Sequence, residues 1–147
     1  MKNKIWKSLI LGMCLIASSE QSFGQIGQNR RDIIKEKGYD YKPGTADDGT
    51  KYISYKEEFT TEQSGTYTRL KAIYFTTIDD GTDICHYWRI YEPSSETNPW
   101  VSYFKKRFVE VDYMKWKDYE SNIIYELDVE DIDGICIITA WYDFKKQ

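Results

Sequence analysis

His86 is the only histidine of the 147-residue chain. Any Ser/His/Asp or Cys/His relay would have to pass through it, because such relays need an imidazole to carry the proton. Its neighbour Cys85 points to the opposite face if the segment is a strand, so the two do not form a nucleophile–base pair. His86 therefore reads as a core or edge histidine. Zinc requires three or four Cys, His or carboxylate ligands at matched spacing, and one histidine with two well-separated cysteines does not provide them. Acids crowd at Asp79-Asp80-Gly81-Thr82-Asp83 and at Glu130-Asp131-Ile132-Asp133. Neither stretch keeps the EF-hand spacing or its terminal bidentate glutamate, and solvated Asp-Gly turns account for both. Paired carboxylates for glycoside hydrolysis have no weight here, since among so many acids some pair meets the distance by chance. The residue types and spacings point to no catalytic residue, no metal and no cofactor.

Aromatic residues are the better candidates for a binding role. Trp116 lies in Met114-Lys-Trp-Lys-Asp-Tyr119, flanked by charges and on the face opposite Val111 and Tyr113. Trp141 and Tyr142 alternate, so only one of them enters a given core. Trp116, Trp141 and Tyr119, with Trp88, are the candidate binding residues, because exposed indoles stack on sugars or anchor protein contacts. The alternative is that these rings cover the outer face of a half-solvated sheet. Trp88, Trp116 and Trp141 clustered on a concave face would favour a sugar or small ligand. A flat apolar patch would favour a protein.

The N-terminus supplies an address. Three lysines precede the apolar run Leu9–Ala17, followed by the small residues Ser22 and Gly24. A basic start, a short apolar core and small residues before the cut make an export signal over residues 1–24. The apolar run is too short for a bilayer, which needs roughly 20 residues, so no transmembrane anchor is expected. Met13 is too bulky to precede a lipidated cysteine, and Cys14 is expected to leave with the signal. Residues 25–147 form one domain in the periplasm or outside the cell. Without the leader the chain has 17 basic and 23 acidic residues, a net charge of −6. That charge repels phosphate backbones, so nucleic acid is not an expected partner. In an oxidising compartment Cys85 and Cys136 predict a disulfide, with two buried thiols as the alternative.

Hydrophobic periodicity then places the elements. Residues 28–37 read as a short helix stopped by Gly38, with Ile33 and Ile34 inward. A turn-rich loop covers 39–50. Strands follow at 51–59 (Ile53, Tyr55 and Phe59 inward), 67–78 and 83–91 (Ile84, Trp88 and Ile90 inward), the last two joined by the Asp-Gly turn. Asn98 as N-cap and Pro99 at the first position start a helix at 99–107. Its apolar face is Trp100, Val101, Phe104 and Phe108. Alternating segments at 109–117 and 122–129 complete the pattern, the latter with Ile123, Tyr125, Leu127 and Val129 inward. Residues 135–142, apolar on both faces, mark a central strand. The result is an α+β fold of order α-βββ-α-βββ: an antiparallel sheet of about six strands with two short helices packed on one face. The matching Asp-Gly turns and Ile-Cys pairs at 81–85 and 134–136 suggest a duplication of the two halves.

Gly27-Gln-Asn-Arg-Arg-Asp-Ile-Ile-Lys-Glu-Lys-Gly38, followed by Asp47-Asp-Gly-Thr-Lys-Tyr-Ile-Ser-Tyr55, resembles the opening of beta-lactamase-inhibitor-protein-like and SmpA/OmlA-like envelope domains. In those domains a short helix ending at Gly precedes a Tyr-bearing strand. This chain lacks their Gly-Met-Thr helix start and the lipobox, and no inhibitory or assembly residue carries over. Together these features lead to an expected exported, non-enzymatic binding module of the bacterial envelope, whose partner is an envelope protein. A module that binds a glycan or small ligand through exposed aromatics is the alternative.

Overall fold

The computed structural model describes residues 25–144. The export segment expected at 1–24 lies outside them. Helix α1 (Arg30–Lys37) starts where the Asn29 side chain accepts a hydrogen bond from the Asp32 N–H, and it stops at Gly38, whose φ is 100°. That left-handed backbone is open to glycine and strained for other residues. Strands β1 (Lys42–Thr45), β2 (Lys51–Thr61), β3 (Gly65–Thr77) and β4 (Asp83–Pro93) follow, then a 3-10 turn (Ser94–Glu96) and helix α2 (Thr97–Arg107). β5 (Val109–Asp112), β6 (Lys115–Asp118), β7 (Ile123–Glu130) and β8 (Ile135–Tyr142) close the chain.

All eight strands join one antiparallel sheet in the order β1-β2-β3-β4-β8-β7-β6-β5. Each helix is thus followed by a four-strand meander, and the two meanders meet along β4 and β8, their last strands. Both helices lie on the same face: Ile33 of α1 and Phe104 of α2 belong to one core with Ile53, Ile73, Trp88, Ile90, Tyr125 and Ile138. The α+β class and the placement of the helices agree with the sequence expectation. The expected strand number of six is corrected to eight, for two physical reasons. β1 has the sequence Lys-Pro-Gly-Thr, which reads as a turn, and it is an edge strand where Pro43 needs no partner for its missing N–H. The segment 109–117 is a hairpin rather than one strand, because Met114 adopts a φ of 53° and reverses the chain.

The start of α2 also differs from expectation. The helix begins at Thr97, and Asn98 is an exposed residue of its first turn rather than the N-cap. The carboxylate of Glu96, 5% exposed, accepts hydrogen bonds from Thr61 Oγ1 (2.5 Å) and Ser64 Oγ (2.6 Å). It ties the tip of the β2–β3 hairpin to the positive end of the helix dipole. Four residues earlier, Glu92 of β4 is buried and accepts from Tyr67 Oη at 2.8 Å, from the Arg69 guanidinium and from the indole N–H of Trp100. Val129, expected inward, is exposed in the last residues of β7.

The expected disulfide does not form. Across the β4–β8 seam Cys136 faces Glu92, while Cys85 lies near the other end of β4. At roughly 3.3 Å per residue the two are on the order of 20 Å apart, whereas a bridge needs Cα atoms within about 7 Å. Both are free, buried thiols. Cys85 donates to the Tyr87 carbonyl and Cys136 to that of Pro93. Burial pushes the Cys85 thiol up to about 12 and that of Cys136 to about 11, so neither is a competent thiolate at neutral pH. Iodoacetamide should leave both residues unmodified in the native protein. In urea without reductant it should label both, as read by peptide mapping; label that appears only after reduction would restore the bridge.

Lys71 of β3 is 1% exposed, with its ammonium 4.8 Å from the centre of the Trp88 ring. Burial, with the charge of Lys37 adding to it, lowers its pKa from 10.5 to about 7, against the opposing pull of Glu57 and Cys85. The unfolded chain therefore holds this proton up to about pH 10.5 while the folded one releases it near 7, so stability falls as the pH drops from 10.5 to 7. Above pH 10 the trend reverses, because the buried Tyr125 phenol, raised by desolvation, resists ionisation in the fold. Lys71→Met should stabilise the protein by roughly 1–3 kcal/mol at pH 6. It should also flatten the rise between pH 7 and 9, measured as urea midpoints at each pH.

Candidate functional site

Because both helices share one face, no described residues form a covering layer over the other face of the sheet. Its side chains follow from the register. Gly44 pairs with Tyr52, Tyr52 with Tyr74, Tyr74 with Tyr87, Tyr87 with Trp141, Trp141 with Ile124, and Ile124 with Lys117. One cross-strand row therefore runs from the β1 edge to β6, with four aromatic rings on adjacent strands. At about 4.8 Å per strand these rings extend over roughly 15 Å. Tyr74 and Tyr87 stack with centroids 4.3 Å apart and planes 10° from parallel, and Tyr52 leans on Tyr74 at 5.3 Å. Such ring pairs contribute beyond the area they bury. The Tyr52 ring in turn lies on Gly44, where an added Cβ would come within 2.3 Å of it.

A second row, one step along, holds Ser54, Ala72, Arg89, Thr139, Glu126 and Lys115. A third holds Lys56, Leu70, Tyr91, Ile137 and Asp128. The Arg89 guanidinium lies 5.5 Å from the Tyr87 ring centre and 5.8 Å from that of Tyr74. Burial opposes its charge, but hydrogen bonding to the Tyr91 phenol and the phenols of Tyr87 and Tyr74 offset this, so it stays a cation. Burial and the hydrogen bond with Tyr91 also raise the Tyr74 phenol, which remains a neutral donor. At the far side Lys115 sits 5.7 Å from the Trp141 ring centre and 3.5 Å from Glu126, and Lys117 bonds Asp143 at 2.8 Å.

The candidate residues divide between the faces. Trp141 belongs to the open face, half-buried in the aromatic row, and Tyr119 is exposed at its margin, with its ring 4.7 Å from the Lys117 ammonium. Trp88 and Trp116 do not belong there. Both are 0% exposed and lie in the core, Trp116 stacked on Phe104 of α2 at 5.1 Å. The assignment of Trp116 fails because the 109–117 segment is a bulged hairpin: β5 is the exposed edge, and Val109, Val111 and Tyr113 face solvent while Trp116 turns under the helix. The tyrosines and Arg89 were missed individually, although the alternation of Tyr87, Arg89 and Tyr91 against Trp88 and Ile90 already separates the faces of β4.

His86 is an exposed residue at the β3–β4 bulge, stacked on Phe144 at 6.2 Å. Among the described residues no cluster of three His, Cys, Asp or Glu has the geometry to hold a metal, and no helix is long and apolar enough to cross a membrane. A groove of about 500 Å³ lies beside α1, lined by Arg30, Arg31, Tyr39, Tyr41 and Asp83. It is apart from both the aromatic row and His86. Comparison with protein-family models, curated proteins and solved structures finds no match to this chain.

The two tryptophans should behave oppositely. Trp116→Ala should destabilise the fold by about 3–5 kcal/mol, as loss of a buried ring does. Trp141→Ala should cost about 1 kcal/mol, as at a half-exposed site. Denaturation followed by far-UV circular dichroism compares them.

Proposed function

We propose that the protein is an exported, non-enzymatic binding module of the bacterial envelope that contacts a protein partner through the helix-free face of its sheet. One observation supports this above the others: Tyr52, Tyr74, Tyr87, Tyr91, Trp141 and Arg89 are drawn together on the uncovered face. Tyr, Trp and Arg are the residue types that dominate binding energy at protein interfaces, because they offer large, stiff contact area with a polar handle. The rows form a broad surface rather than a cleft, which suits a protein more than a sugar. Two of the three indoles that a stacking site would have used are in the core. The envelope address rests on the leading residues, and the resemblance to small envelope domains points the same way.

A photo-crosslinking amino acid placed at Tyr87 or at Trp141 should form adducts with an envelope protein in the cells that make this chain. The same group at Lys35, exposed on α1, should not. Adducts of equal yield from all three positions, or none from the sheet face, would refute the reading.

A further inference from the structure

Resting on that docking reading, we propose that the centre of the open face receives one carboxylate, an Asp or Glu side chain of the partner flanked by apolar groups, on the Arg89 guanidinium. The register shapes the place for it. Arg89 has Ala72 on one side and Thr139 on the other, with Ser54 beyond Ala72. These are short side chains, bordered by Tyr74, Tyr87 and Trp141 in one row and by Leu70, Tyr91 and Ile137 in the other. The Arg89 guanidinium therefore lies among short neighbours, with a largely aromatic or aliphatic row on either side.

Charge supplies the second argument. Arg30 and Arg69, like Arg89 partly buried, hold acids: Asp83 at 3.5 Å and Glu92. Two lysines of the same face, Lys115 and Lys117, are likewise paired with Glu126 and Asp143, while Lys42 and Lys56 lie exposed at its β1–β2 side. Among the described residues Arg89 has no carboxylate within 4.0 Å, and its Nε is buried with no hydrogen-bond partner. Asp48 in the β1–β2 turn feels the charge of Arg89 but is exposed and bonded to the Thr50 N–H at 2.9 Å. A guanidinium that stays charged between apolar rows, hydrogen-bonded to the Tyr91 phenol but with no acid to neutralise it, matches a planar carboxylate far better than a neutral group. A polyanion is a poor fit, because the chain itself carries a net charge of −4.

Cyclic peptides from a randomised display library, selected on the whole protein, provide the probe. Binders that lose affinity on Trp141→Ala should carry an Asp or Glu beside apolar residues. Arg89→Gln, or amidation of that acid to Asn or Gln, should each weaken binding at least 10-fold, and the two changes together should weaken it little further. Arg89→Lys, which keeps the charge and loses the fork, should retain part of the affinity. Thermal melts of the Arg89 variants that match the wild type separate loss of contact from loss of fold. Binders that need Trp141 yet lack an acid and ignore Arg89→Gln would overturn the carboxylate site and leave the docking face standing. Failure to obtain any binder sensitive to Trp141→Ala or Tyr87→Ala would overturn both.

Discussion

The Glu92 carboxylate is where the parts of this fold are fastened together. It belongs to β4, faces Cys136 of β8 across the seam between the two meanders, and accepts from Tyr67 and Arg69 of β3 and from Trp100 of α2. A buried carboxylate is tolerated only when it is paired and its lone pairs are filled, and here three donors from two elements fill them. The arrangement fixes the register of α2 over the sheet, because the indole N–H reaches the carboxylate from one helical position. Arg69 is held between this acid and the Phe59 ring, 3.8 Å away, so β2 is drawn into the same set of contacts.

Once α2 is fixed on that face, α1 has the same face to cover, and the core closes on one side of the sheet only. Ile33 and Phe104 share a core with the inward residues of β2, β3, β4, β6, β7 and β8. The outer face must then shield its own backbone and apolar stems. It does so with tyrosines laid across neighbouring strands, each half-covered by the next, and with Arg89 spread over two of them. Ala72 and Tyr74 are buried on this face with no layer of described residues above them. A surface that covers itself with stiff, amphipathic rings loses little side-chain entropy when a second surface meets it.

The periodic segments were legible. β2 and β7 follow from alternation, β8 from its apolar run on both faces, α1 from its Gly38 boundary, and the Asp-Gly turn at 80–81 from its chemistry. β1 was not, since Pro43 and Gly44 are turn residues whose strand state comes from pairing with β2 and from the Tyr52 ring that requires the missing Cβ. The β5–β6 reversal was hidden as well, because Met114 is an unusual residue at positive φ and nothing local announces it. At the site, alternation separated Trp141 from Tyr142 correctly, whereas Trp116 was displaced by that unseen reversal, which moves the residues of β6 to the other face.

What the residues alone determined is the class of architecture and the parity of the uninterrupted strands: period-2 patterns state which side chains travel together, whatever lies above them. Only the tertiary structure decided which strands are neighbours. The β4–β8 pairing keeps Cys85 far from Cys136 and brings Tyr87 against Trp141. The reason is that strand order and register are set by long-range hydrogen bonding and helix coverage. Those quantities have no local signature in the chain.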